Sequence, residues 1–221
     1  MSSMFPNVQW ESIWAAASET LYMTGVAVAF TFVFGLILGL LLFLTSKDNI
    51  WENKAIHTIV SAFVNIFRSI PFIILIILLI PFTKMLVGTI LGANAALPAL
   101  IIGAAPFYAR MVEIALREID KGVIEAAKAM GATTATIIWK VLIPESLPAL
   151  VSGITVTAIA LVGYTAMAGV VGAGGLGNLA YLEGFQRSHN DVTFVATVLI
   201  LIIVFAIQLI GDFVTSKIDK R

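Results

Sequence analysis

The sequence contains no cysteine and few charged residues: only 12% of its 221 residues are Asp, Glu, Lys or Arg. Without cysteine the chain has no disulfide, thiolate nucleophile, cysteine-based zinc site or iron–sulfur ligand. Soluble domains carry about twice this fraction of charge, because their surfaces face water. With 60% hydrophobic residues and a mean hydropathy of +1.03, the composition excludes a water-soluble monomer and indicates an integral membrane protein. The 13 basic residues balance the 13 acidic ones, so net charge does not favour nucleic acid as a partner.

Long apolar stretches predict five membrane-spanning helices in a single transmembrane domain that covers residues 1–221. A helix needs about 20 mostly apolar residues to cross a bilayer. Because a bilayer offers no partners to backbone N–H and C=O groups, the spans should be helical and the fold class all-α. We place the spans at about residues 21–45, 57–82, 86–109, 149–171 and 192–213. The glycine-rich sequence after the fourth span predicts a wide turn or a re-entrant segment.

The distribution of Lys and Arg predicts the orientation of these spans. With an external N-terminus, ten of the 13 basic residues lie on the cytoplasmic side, two lie outside, and Arg68 lies within a span. Basic residues are enriched in cytoplasmic loops of membrane proteins. We therefore predict an external N-terminus and a cytoplasmic C-terminus.

The cytoplasmic segment 110–147 is too long to be a simple connection. Its periodicity predicts two short helices, the first of which should end at Gly131. Thr133 or Thr134 can cap the second helix, which we expect to stop at Pro144. Such helices can lie on lipid headgroups, but the small side chains of the first favour insertion into a groove of another protein. At the start of this segment, ion pairs with Arg110 or Arg117 would account for Glu113 and Glu118, with no catalytic role.

Residues 125–144, EAAKAMGATTATIIWKVLIP, resemble the signature loop of the membrane subunits of ABC importers. The family pattern is EAA, three residues, G, nine residues, I, one residue, LP. Val141 and Ile143 replace the usual Ile and Leu, which conserves volume. The residues that match in register, and that the resemblance assigns to coupling with an ATPase, are Glu125, Ala126, Ala127, Gly131 and Pro144.

Further stretches are similar to the permeases of methionine importers, which are short and have five spans. They are VNIFRSIPFIIL (64–75), APFYARMVE (105–113), LVGYTAMAGVVGAGGLG (161–177) and the final Gln208, Gly211 and Asp212. The resemblance implies a type I importer permease fold and transport of methionine, as the L isomer with the D isomer as a second candidate. It also implies alternating access across the inner membrane of a bacterium.

The same resemblance implies the partners. It predicts a symmetric homodimer in the lipid bilayer, two copies of a separate ATP-binding subunit and an external substrate-binding protein or lipoprotein. ATP and Mg would then reside on the partner subunit, and this chain would hold no cofactor. In the coupling loop, Glu125 would accept a bond from a basic partner group, Ala126 and Ala127 would permit close approach, and Gly131 would form the turn.

Four residues are candidates for the translocation pathway or its gate. Arg68 is a charge within a predicted span, where function is the default hypothesis and snorkelling or bonding to carbonyl groups near Pro71 is the alternative. Asn65, on the same helical face, is its nearest candidate partner. In the fourth span, Tyr164 and Met167 could form a hydrophobic gate or could pack as ordinary helix residues.

Gly35 and Gly39 predict close helix packing, within the chain or in a dimer.

Other functions are less well supported by the residues. The chain has no GxxxxGK[ST] loop for ATP, and the GxGxxG pattern at 172–177 follows a membrane helix instead of a strand. His57 and His189 lie far apart, so we expect no metal site. An importer permease for another amino acid or small polar solute is the closest alternative. An ATP-independent channel or carrier, or a membrane enzyme or scaffold, would belong to a different class.

Overall fold

The structure, a computed structural model, describes residues 5–219, and this part of the chain is helical without any β-strand. Two π-helical segments, Ile138–Leu142 and Ala180–Gln186, extend the helices that precede them. The α-helices are α1 (Trp10–Thr45), α2 (Lys54–Ser69), α3 (Phe72–Leu78), α4 (Ile80–Val87), α5 (Ala93–Arg117), α6 (Lys121–Ala129), α7 (Thr134–Ile137), α8 (Ile143–Val170), α9 (Gly175–Leu179) and α10 (Asn190–Ile218).

Within residues 5–219, four helices are long and apolar enough to cross a bilayer: α1, α5, the continuous helix Thr134–Val170 and α10. A fifth crossing results if α2 and α3, which are bent by 106° relative to each other, count as one broken span. The structure thus has four to five candidate spans.

The predicted second span, 57–82, is broken at Pro71 and is not a straight helix. Proline has no N–H to donate, and its ring disfavours a helical conformation in the residue before it. Ile70 is accordingly extended, with φ −80° and ψ 123°. Pro81 lies in the first turn of α4, where a missing N–H breaks no helical bond.

Helix α5 lies at the centre of the bundle and packs most extensively along α1. Gly35 and Gly39 of α1 make this close approach possible, because a Cβ atom on Gly35 would lie 2.7 Å from the ring of Tyr108. A Cβ atom on Gly39 would lie 2.5 Å from the Cβ of Val112. Tyr108 and Val112 are fully buried. The two glycines therefore serve packing within the chain.

A second close contact joins α8 to α10. Gly211 of α10 lies directly against the side chain of Thr155, so that a Cβ atom would overlap it. Small residues of this kind let membrane helices approach closely enough for van der Waals contact along their backbones.

Candidate functional site

Segment 110–147 contains the first predicted short helix, α6, which begins and ends with well-formed caps. The Asp120 carboxylate accepts a hydrogen bond of 2.6 Å from the N–H of Gly122 at the start. At the end, Gly131 has φ +79°, the left-handed conformation that glycine adopts without strain. The Gly131 N–H donates to Lys128 O at 2.9 Å and the Ala132 N–H to Ala127 O at 3.1 Å. These two bonds form a Schellman motif and fix the direction of the chain after α6.

The two faces of α6 have different surroundings. Ile124 and Ala127 are buried against the C-terminal ends of α1 and α5 and the start of α8. Glu125 and Ala126 are exposed, and Met130 is 82% exposed. Glu125 has no hydrogen-bond or ion-pair partner within residues 5–219. The outward surface of α6 therefore offers a carboxylate, a small residue and an apolar side chain to a partner, whereas Ala127 holds α6 close to its own chain.

Thr133 caps α7, since its hydroxyl accepts a hydrogen bond of 3.3 Å from the N–H of Thr136. The expectation that this helix stops at Pro144 is wrong, because α7 runs through the π-helical segment Ile138–Leu142 into α8 without a break. Pro144 lies in the first turn of α8, next to the wider π-helical turn, where its missing N–H is tolerated. Residues 134–170 therefore form one continuous helix that is long and apolar enough to cross a membrane.

Trp139 is a functional candidate that the sequence analysis missed. It lies on the π-helical segment between α7 and α8 and is 67% exposed. Tryptophan is enriched at membrane interfaces and at protein contacts, where its ring buries a large area. An isolated Trp beside charged residues gives no periodic pattern, so only the structure reveals its exposure.

Glu113 lies near the C-terminal end of α5 and forms two ion pairs there. Its carboxylate is fully buried and lies 2.5 Å from Arg110 Nη1 and 2.6 Å from Arg117 Nη2. The expected ion pairing is confirmed for Glu113, which contacts both arginines. Because these three residues lie on the last turns of α5 before α6, their ion pairs stiffen the end of α5.

Arg68 and Asn65 lie on an exposed face of α2. The Asn65 amide donates to Ser61 Oγ at 3.4 Å and makes no bond to Arg68, so the expected pairing of these two residues is wrong. Arg68 is in the last turn of α2, immediately before the break. It has no hydrogen-bond or ion-pair partner among residues 5–219.

Tyr164 stacks on Phe72, the first residue of α3, with ring centroids 4.5 Å apart and planes inclined by 3°. Phe72 is buried and Tyr164 half-buried, while Met167, one turn further along α8, is 46% exposed. The break at Pro71 thus places an aromatic side chain directly on the candidate gate residue. The sequence did not predict a role for Phe72, because its contact with Tyr164 depends on the direction of the bend between α2 and α3.

The first part of the glycine run 172–177 forms the predicted turn after α8, and Gly175 begins α9. The Gly175 N–H donates to Glu19 Oε2 at 2.6 Å, and the Leu176 N–H donates to Thr20 Oγ1 at 2.9 Å. A carboxylate and a hydroxyl from α1 therefore occupy the N–H groups to which a phosphate would bind in a dinucleotide site. This geometry agrees with the structural interpretation of the run and leaves no room for a nucleotide phosphate there.

Comparison with known proteins places these features in a family. A protein-family model described as "Binding-protein-dependent transport system inner membrane component" matches residues 31–221. The methionine import system permease protein MetP of Bacillus subtilis (strain 168) is 72% identical over 217 residues, which cover 98% of both chains. The probable D-methionine transport system permease protein MetI of Pasteurella multocida (strain Pm70) is 48% identical over 218 residues, which cover 99% of this chain and 100% of that relative.

Solved structures agree with this assignment. A chain of the MetNI methionine ABC transporter in an inward facing conformation superposes with a TM-score of 0.93 and 50% identity, covering 95% of this chain and 97% of that one. An amino acid ABC transporter solved with histidines gives a TM-score of 0.76 at 20% identity, with 94% of both chains covered, which shows the shared fold alone. The chain therefore belongs to the inner membrane components of binding-protein-dependent transport systems and has the type I importer permease fold.

Proposed function

We propose that this chain is the permease subunit of an ATP-driven importer that carries methionine across the inner membrane of a bacterium. The observation that carries the proposal is the 72% identity, over nearly the whole length, to a permease named for methionine import. L-methionine is the first expected substrate. The relatives named for D-methionine make the D isomer the second.

In this proposal the N-terminus is external and the C-terminus cytoplasmic, with α6 and α7 on the cytoplasmic side. The support is the position of ten of 13 basic residues in the segments that this orientation makes cytoplasmic. The opposite orientation would place those ten residues outside, against the strong bias of membrane proteins.

A separate ATP-binding subunit, which would hold ATP and Mg, docks on the outward surface of α6. Its groove would receive Ala126 and the apolar Met130 side chain, and a basic group would meet the unpaired Glu125 carboxylate. The Schellman turn at Gly131 would fix how α6 is presented. A charge-assisted hydrogen bond of this type contributes about 1.5–3 kcal/mol when it is shielded from water.

The permease acts as a symmetric homodimer with the pathway on its two-fold axis, since five helices enclose no adequate path alone. An external binding protein delivers the substrate. The exposed polar face of α2, with Asn65 and Arg68, lies along the pathway, and Tyr164, Phe72 and Met167 lie at its gate.

Two connections transmit motion of the ATP-binding subunits to the gate. The continuous helix Thr134–Val170 carries both the α7 end of the loop and Tyr164, so movement of the loop moves the gate residue as part of one element. On the other side of the loop, the Glu113 ion pairs stiffen the last turns of α5, from which the chain enters the loop. Closure of the ATP-binding pair thereby shifts the balance between inward-open and outward-open states.

The test is uptake into proteoliposomes that contain the permease, its ATP-binding subunit and its binding protein. L-methionine and D-methionine are compared with a panel of other amino acids, with and without ATP. Accumulation of methionine that requires ATP and all three components supports the proposal. Preference for another amino acid shows an importer for a different solute, and uptake without the ATP-binding subunit shows a carrier.

The docking surface is tested by charge reversal. Glu125→Lys should reduce the amount of ATP-binding subunit that copurifies with the permease, because it places a cation against a basic partner group. Glu183→Lys is the matched control, since Glu183 lies at the other end of the bundle in the π-helical segment Ala180–Gln186. Equal loss of the ATP-binding subunit from both variants would contradict docking at α6.

A further inference from the structure

Helix α2 carries a polar stripe along an exposed side. Thr58, Ser61, Asn65 and Arg68 follow one another at intervals of three or four residues and therefore share a face. Thr58, Asn65 and Arg68 are exposed and Ser61 is half-buried. The chain packs α2 through the adjoining face, where Val64 is buried and Val60 half-buried. A polar face at membrane depth is unfavourable against lipid, so the stripe must meet water or another polar surface.

The stripe ends in a cation that the described chain does not neutralise. Arg68 is the only Lys or Arg within the five predicted spans, and it has no acidic or hydrogen-bonding partner among residues 5–219. It lies about 21 Å along α2 from Lys54, and in the proposed five-span arrangement this distance places it inside a hydrocarbon core that is about 30 Å thick. The hydroxyls of Thr58 and Ser69, unlike the Arg68 guanidinium, already have partners. They donate hydrogen bonds to backbone carbonyl oxygens at 2.7 and 2.8 Å.

The break after α2 supplies acceptors beside this cation. The last four carbonyl groups of any α-helix have no partner within the helix. At the end of α2 the chain turns through Ile70 and Pro71, and Pro71 has no N–H with which to satisfy a carbonyl group. The end of α2 therefore combines a guanidinium, which donates, with carbonyl oxygens, which accept.

This combination complements a zwitterionic α-amino acid. A zwitterion carries a carboxylate and an ammonium on adjacent carbons, and moving both into an apolar passage without partners is costly. Guanidinium binds carboxylate through two parallel hydrogen bonds, and an ammonium group donates readily to free carbonyl oxygens. Both features needed for such a ligand occur within the last turn of one helix.

We propose that Arg68 and the terminal carbonyl groups of α2 form a transfer site inside the membrane for the charged end of a zwitterionic amino acid. The proposal deepens the proposed function and rests on it. Arg68 binds the carboxylate, the carbonyl groups accept from the ammonium, and the polar stripe below provides a hydrated route to the cytoplasm. The site makes no contact with the side chain of the substrate. It therefore recognises the carboxylate and ammonium groups that all α-amino acids share, and other components determine which side chain is accepted.

The test measures binding of radiolabelled L-methionine to the purified permease with its ATP-binding subunit, without the binding protein. Methioninamide, which lacks the carboxylate, competes against it. The wild-type complex should bind methionine at least about tenfold more tightly than methioninamide, because one hydrogen bond to a charged group contributes about that much to affinity. Arg68→Gln should abolish this preference, and Arg68→Lys should retain part of it. Lys84→Gln, an exposed cation on α4, is the control that keeps the full preference.

The ratio separates recognition from a structural role. If Arg68 only positioned α2, Arg68→Gln would weaken methionine and methioninamide equally and the preference would persist, which would overturn the proposal. Absence of saturable methionine binding to the wild-type complex up to millimolar concentration would overturn it as well. If the Arg68→Gln protein cannot be purified, Arg68→Lys provides the test. A preference for methionine over methioninamide equal to that of the wild type would contradict the two-bond contact. Failure of the wild-type complex in ATP-driven methionine uptake would refute the proposed function separately.

Discussion

At the scale of single residues, the backbone of Gly131 is a constrained feature of the connection between α6 and α7. Its φ of +79° lies in the left-handed region, where a residue with a Cβ atom costs about 1–2 kcal/mol. A Cβ atom there would meet no other atom within 4 Å, so the cost would come from the backbone alone.

Gly131→Ala should therefore weaken the Schellman turn and lower methionine uptake per ATP hydrolysed, as measured in proteoliposomes. Gly25→Ala is the matched control, because Gly25 also has open space around it but lies inside helix α1. We expect the control to couple normally. Full coupling of Gly131→Ala would show that the direction of the chain after α6 is not critical.

Glu113 is the residue whose loss should affect stability most at the inner end of α5. Glu113→Gln keeps the shape but leaves Arg110 and Arg117 without a carboxylate, and it should lower the free energy of unfolding by about 1–3 kcal/mol. Thermal unfolding in detergent measures the change. The exposed pair Glu183–Arg187 provides the control, since Glu183→Gln should cost less than about 1 kcal/mol. Equal shifts in both variants would contradict a special role for burial.

Residue-level predictions succeeded where the signal is local. The caps at Gly131 and Thr133 depend on residues within five positions, so the sequence contains all the information needed. The contact of Phe72 with Tyr164 and the capping of α9 by Glu19 join residues that are distant in sequence. Such contacts depend on how the helices pack and therefore could not be predicted from spacing.

At the scale of elements, hydropathy located the membrane helices but not their shape. A hydropathy window records how apolar a segment is and is insensitive to bends, so the 106° angle between α2 and α3 was not predicted, although Pro71 marks its position. At Pro144 the opposite occurred: the sequence predicted the end of a helix, but the helix continues through this residue. Proline breaks a helix interior but is well tolerated in a first turn, and which of these applies depends on where the π-helical segment begins.

The bend should hold the aromatic pair in place. In the wild-type chain the coupling energy between Phe72 and Tyr164, measured by a double-mutant cycle of alanine substitutions on thermal unfolding, should be about 0.5–1.5 kcal/mol. Pro71→Ala removes the restriction on Ile70 and should reduce this coupling to near zero. Pro81→Ala, in the first turn of α4, should leave it unchanged. A coupling energy that persists in Pro71→Ala would mean that packing alone sets the bend.

At the scale of the whole molecule, the distribution of charge and the absence of cysteine make the orientation directly testable. An introduced cysteine is the only thiol in the chain, so a membrane-impermeant maleimide reports its side without ambiguity. In intact cells we expect labelling of Gln9→Cys and none of Ser216→Cys, which should react only after the membrane is permeabilised. Both positions are exposed, so access within the protein is matched. The reverse pattern would contradict an external N-terminus.

The unbroken helix Thr134–Val170 also has a mechanical consequence. Its 37 residues extend about 55 Å, and Thr155, which meets Gly211 of α10, lies close to its midpoint. The helix can thus act as a lever with a fulcrum at this crossing. Tilting it by about 10° moves each end sideways by about 5 Å. A slight tilt is therefore enough to displace the two ends in opposite directions by about 5 Å, and no helix has to unfold.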